Sequence, residues 1–125
     1  MKNLALLLLV AAGLTACSDD DADAIGCTEE FRTVSFSVES DNLPAEVYYR
    51  EAGSAQRVTL DALNSDPARY VLKSDADLDE HQNVTKTYTV EGTDANGNVL
   101  FNEIYEITGD ECHISKVSGP EVISY

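Results

Sequence analysis

Tryptophan is absent from the 125 residues, histidine occurs twice and proline three times. Two histidines on unrelated segments, His81 and His113, fall short of a zinc site, which takes three or four protein ligands. Cations are also scarce, with 8 Lys and Arg against 23 Asp and Glu, a net charge of −15. Such a surface repels phosphate backbones and anionic head groups, so no nucleic-acid partner is expected. No Gly-Xaa-Ser-Xaa-Gly, phosphate-cradling glycine loop or paired-carboxylate signature occurs, and no nucleophile–base pair stands out. No segment sustains a 3.6-residue apolar period, which excludes a helical domain. The longest apolar run, Leu4 to Ala12, is half the roughly 20 residues that a bilayer-spanning helix needs.

That run sits behind Lys2 and ahead of the small residues Gly13 to Ala16, the three-part layout of a secretion signal over residues 1–16. The next residue is Cys17. Leu14-Thr15-Ala16-Cys17 resembles the lipobox of bacterial lipoproteins. The resemblance implies that residues 1–16 are removed and that Cys17 carries a diacylglycerol on its sulfur. Two acyl chains hold a protein stably where one does so marginally, so the implied partner is a membrane, reached through lipid alone. Ser18-Asp19-Asp20-Asp21-Ala22-Asp23 follows. Its carboxylates repel one another and bury nothing, so residues 17–26 read as a solvated tether. Ser18, Asp19, Asp20 and Asp21 also resemble the export signal of Bacteroidota surface lipoproteins. That likeness implies an outer-membrane protein displayed at the cell surface; a periplasm-facing placement is the alternative.

Residues 27–125 make one domain by size. With Cys17 taken by lipid, Cys27 and Cys112 remain, and an even remainder in an exported chain reads as a disulfide. Between them the pattern is β. Phe31–Glu39 alternates with Val34, Phe36 and Val38 on one face. Glu46–Glu51 and Gln56–Leu60 flank Ala52-Gly53-Ser54-Ala55 as a hairpin, and Asp61–Ala68 reads as loop. Arg69–Lys73 is a short strand, and Ser74–Asn83 an acidic loop. Val84–Glu91 should turn Val84, Tyr88 and Val90 inward. Asn96-Gly97 then marks a hairpin into Val99–Thr108, where Val99, Phe101, Tyr105 and Ile107 are in phase. Glu103 breaks that phase, which predicts a bulge or a strand running past the sheet edge. Cys112–Val117 and Val122–Tyr125 close the list. Seven to eight short strands with regular turns predict an all-β fold: a small antiparallel β-sandwich, immunoglobulin-like or transthyretin-like. The missing tryptophan and the wide cysteine spacing exclude an antibody-type core. The run Gly109 to Pro120 is similar to the ending of small Bacteroidota lipoproteins of no assigned activity.

Three further clusters have a chemical and a bland reading. Asp75, Asp77 and Asp79 alternate like calcium ligands, but Glu80 stands where an EF-hand needs glycine and Lys86 where it needs the closing glutamate, so a solvated loop is expected. Asp94, Asn96 and Asn98 repeat the spacing and suit turn chemistry better. Six tyrosines could stack on sugars if exposed, but without tryptophan they are expected to fill the core edge. The sequence thus predicts no catalytic residue, metal or cofactor. It points to a non-catalytic binding or accessory module, with an outer-membrane protein complex or glycan as possible partner. A small exported hydrolase or a purely structural envelope protein is the alternative.

Overall fold

Strand β1 (Thr33–Glu39) takes the alternation literally: Val34, Phe36 and Val38 are buried, and Thr33 and Glu39 exposed. A computed structural model describes residues 26–125 and resolves the same pattern into nine strands. The expected signal peptide, Cys17 and Ser18 to Asp21 lie outside the described residues.

β1 pairs with β5 (Ala68–Ser74), β5 with the two-residue β4 (Asn64–Ser65), and β1 on its other side with β9 (Val122–Ser124). The second sheet runs β3 (Val58–Leu60), β2 (Glu46–Glu51), β6 (Lys86–Thr93), β7 (Val99–Gly109), β8 (Ile114–Ser118). The two sheets share one core. Val34, Phe36, Val38, Tyr70, Leu72 and Ile123 of the first meet Val47, Tyr88, Val90, Tyr105, Ile107 and Ile114 of the second. Phe36 stacks on Tyr70 within its sheet at 5.3 Å and meets Tyr105 across the core at 5.6 Å. Such aromatic pairs add stabilisation beyond the area they bury.

All pairings between the named strands are antiparallel except β1 with β9, which is parallel over Ser37–Glu39. The exception arises where the chain changes sheet. β8 belongs to one sheet and β9 to the other, and Gly119-Pro120 carries the crossing. Gly119 has φ +123°, and a Cβ there would stand 2.3 Å from the Tyr105 ring. The Tyr105 hydroxyl donates to the Pro120 carbonyl at 2.6 Å, fixing the crossing against the core.

Three local expectations are corrected, and of the two alternatives at Glu103 one holds. Val84 precedes β6 and is exposed, because the chain is still completing the turn in which the Val84 N–H donates to the His81 carbonyl. Val99, at the start of β7, is also exposed. No bulge occurs at Glu103, which pairs in register with Val90; instead β7 runs past the end of β8, whose pairing stops at Glu106. The register shifts in the pairings of β7 fall at Gly92/Thr93 and Glu106/Ile107. Finally, Ser74–Asn83 is not an open loop. Ser74 caps a 3-10 turn (Asp75–Asp77) through a capping box with Asp77, and one turn of helix α1 (Leu78–His81) follows. That turn drives His81 into the core.

Candidate functional site

The disulfide forms between Cys27 and Cys112, whose Cα atoms lie 5.2 Å apart. It brings the next residue on each side together. The Thr28 hydroxyl lies 2.9 Å from Nε2 of His113, and Nδ1 of the same ring lies 2.7 Å from Oδ2 of Asp75. The carboxylate can only accept, so Nδ1 donates to it, and in the neutral imidazole Nε2 then accepts from Thr28. A hydroxyl, an imidazole and a carboxylate therefore stand in line beside the bridge.

Asp75 does more than orient the ring. Its Oδ2 accepts the Arg32 N–H at 2.8 Å and its Oδ1 the Ile114 N–H at 2.9 Å. Its own N–H donates to the Arg32 carbonyl at 3.0 Å. Burial pushes its pKa up, but the Arg32 and Ile114 amides and the His113 ring together outweigh burial and hold it below the usual carboxylate value. The expected solvated aspartate is thus a clamp joining the N-terminal segment, the 3-10 turn and β8. Asp77 is engaged as well, accepting from the Ser74 N–H at 3.0 Å. Among the described residues no group of three or more His, Cys, Asp or Glu is placed to hold a metal. Asp94 closes the hairpin, accepting from the backbone of Asn96 and Asn98 and the Asn98 amide, which lower its pKa. The two histidines lie in separate networks. His81 is fully buried between the Asp77 carbonyl and the Tyr88 hydroxyl.

The tyrosines supply no sugar-stacking platform. Tyr70, Tyr88 and Tyr105 belong to the core and Tyr49 packs against it. Tyr48 lies on the outer face of its sheet, covered by the Arg57 guanidinium 4.3 Å over its ring and hydrogen-bonded to Glu91. Only Tyr125 is exposed.

What remains open is a cleft of about 710 Å³ on the β1 edge. β9 pairs with β1 only over Ser37–Glu39, so among the described residues no strand is hydrogen-bonded to Thr33–Phe36 on that side. β8 forms the facing wall through Ile114, Ser115 and Lys116, and Glu121 and Val122 close one end. Exposed Phe31 and Val122 give the rim two apolar points. Arg32, Arg69 and Lys116 line it, three of the seven cations among the described residues. Arg32 faces Glu30 at 3.4 Å and Lys116 faces Glu121 at 3.6 Å. Arg69 reaches over β1 to the Ser35 hydroxyl at 3.0 Å. A second depression, of about 590 Å³ near Pro67 and Tyr125, has Glu39, Asp41 and Asp66 in its lining and no cation.

Spacing alone hides both features. Thr28, Asp75 and His113 are far apart in the chain, and no motif joins them. The pairing of Cys27 with Cys112 was the one sequence clue, since it makes Thr28 and His113 neighbours. The open edge follows from β9 being three residues long, which no composition signal marks. Comparison with protein-family models, with curated proteins and with solved structures finds no match to this chain.

Proposed function

We propose that the chain is a lipid-anchored outer-membrane protein, displayed at the cell surface through Cys17 and the Ser18 to Asp21 run. In this reading it acts as a non-catalytic binding or accessory module. The observation that supports a binding role is the β1 cleft: an unpaired strand edge with apolar rim residues and a local excess of cations on an acidic molecule. Strand edges left open are normally shortened, charged or covered, because they template pairing with other chains. The membrane half of the reading rests on the lipobox resemblance.

Protease shaving of intact cells tests display, and chemical cross-linking on the same cells tests binding. The expected result is clipping of the wild type, protection of Asp19, Asp20 and Asp21→Ala, and a defined cross-linked complex. Equal protection of both proteins in intact cells would establish a periplasm-facing lipoprotein. Absence of any cross-linked partner would remove the binding role.

A hydrolase is the second reading, favoured by the Thr28–His113–Asp75 line. Acyl transfer also needs backbone donors aimed at a developing oxyanion. The N–H groups around this cluster are engaged: Cys112 and His113 donate to Asp110, and Arg32 and Ile114 to Asp75. The cluster therefore reads as a fastening. Thr28→Ala should leave any background ester hydrolysis by the protein unchanged; loss of turnover would reverse the assignment.

A further inference from the structure

Resting on the binding-module reading, we propose that the open edge of β1 takes an extended, acidic segment of a partner protein as an added strand. Backbone direction supports this first. The Ser37 N–H points to the β9 side, where it donates to the Glu121 carbonyl at 2.9 Å. Residues two apart in a strand aim their backbone groups the same way. The register shift opposite Val34 and Ser35 is taken up by Leu72 of β5, so β1 itself is regular from Ser35 to Ser37. The N–H and C=O of Ser35 therefore point into the cleft, with no strand hydrogen-bonded to them among the described residues.

The edge is also long enough. Thr33 to Phe36 offers four residues, about 13 Å of strand. An added strand would continue the sheet where β9 stops, with apolar side chains turned toward Ile114 and the rim residues Phe31 and Val122.

Charge sets the chemistry of the guest. The cleft places three cations against two carboxylates, and Arg69 extends over β1 toward the open side with only a hydroxyl partner in place. At physiological salt, charges beyond roughly 8 Å are screened, so the guest responds to this local excess more than to the acidic remainder.

The test uses three six-residue peptides on the full chain: glutamate alternating with valine, glutamine alternating with valine, and the glutamate peptide with N-methylated backbone amides. The glutamate peptide should bind. The glutamine peptide should bind about tenfold more weakly, a difference of about 1.4 kcal/mol, and the N-methylated peptide not at all. Ser35→Pro should abolish binding, because it removes an N–H that faces outward and takes no bond from β5; Ser35→Ala should retain it. Equal binding of the glutamate and glutamine peptides would overturn the charge assignment. Binding of the N-methylated peptide, or of Ser35→Pro protein, would overturn strand addition. A dimer of the free protein that Ser35→Pro dissolves would replace the acidic guest with a second copy. If cross-linking on cells still recovers the partner with Ser35→Pro, the module reading stands and the strand assignment falls.

Discussion

The Tyr88 hydroxyl and the His81 imidazole meet at 2.7 Å inside the core, tying β6 to the helical turn that precedes it. Nδ1 of His81 donates to the Asp77 carbonyl at 2.8 Å, which leaves Nε2 to accept from Tyr88. Burial pushes the Tyr88 hydroxyl far above its ordinary pKa, so it remains a donor. His81→Ala opens a cavity and orphans a buried hydroxyl, and should cost about 3–4 kcal/mol. Tyr88→Phe leaves one ring nitrogen unpaired, and should cost about 1–3 kcal/mol. A double-mutant cycle by urea unfolding checks both. Additive losses would mean that the hydrogen bond contributes nothing of its own.

Asp75 makes the fold acid-sensitive in a defined window. Its folded pKa is lowered, so the unfolded state binds the proton more readily. Its stabilisation is complete above about pH 4, the ordinary aspartate value, and is lost as pH falls through the lowered folded value. Asp75→Asn should cost about 2–3 kcal/mol at pH 7, since it weakens three charge-assisted bonds. The gap between wild type and variant in urea midpoint should be full at pH 6 and shrink below pH 4. A gap independent of pH would show that charge is not what Asp75 contributes.

The bridge between Cys27 and Cys112 closes a loop of about 86 residues, worth up to roughly 4–5 kcal/mol in the chain-entropy model. Both cysteines lie outside the named strands. Reduction, or Cys27→Ser with Cys112→Ser, should therefore lower the urea midpoint while leaving the far-ultraviolet circular dichroism of a β-protein unchanged. Loss of the β spectrum on reduction would show that the strands need the bridge to form.

Gly119→Ala should destabilise by about 2–3 kcal/mol, because a side chain is strained at that φ and meets the Tyr105 ring. Tyr105→Phe loses the hydrogen bond to Pro120 and should cost about 1 kcal/mol. Combining Gly119→Ala with Tyr105→Ala should recover part of the loss from the glycine change. No recovery in melting temperature would place the strain in the backbone alone.

Much of the sandwich was legible because alternation reports a half-buried strand directly, as in Val34, Phe36 and Val38. Turn chemistry was equally readable at Asn96-Gly97, where Gly97 takes φ +83°. The helical turn at Leu78–His81 was not, since four residues carry no period and the surrounding aspartates suggest solvent. There the local capping box of Ser74 and Asp77 overrides composition. Edge positions misled in the same way. Val84 and Val99 fit the alternation but stand where their strands begin, with no core opposite them. The cleft depends on where β9 stops, and strand length is set by the crossing at Gly119-Pro120, a tertiary matter. The Asp75 clamp joins backbone amides from segments 43 and 39 residues away, and such partners leave no trace in a linear pattern.

The Cys27–Cys112 bridge also decides how the domain meets mechanical tension. A pull arriving from the N-terminal side reaches Cys27 before any strand of the described residues. There the sulfur–sulfur bond diverts it to Cys112, two residues ahead of β8, and residues 28–32 stay slack. The ladder between β1 and β5 is then not peeled from its end. With the bridge reduced, the same pull would meet the Thr28–His113 contact, then the paired bonds between Arg32 and Asp75, and then β1 itself, one weak link at a time. The oxidised domain resists as a unit and the reduced one unzips, so the redox state of a single covalent bond sets the force at which a domain pulled from its N-terminal side gives way.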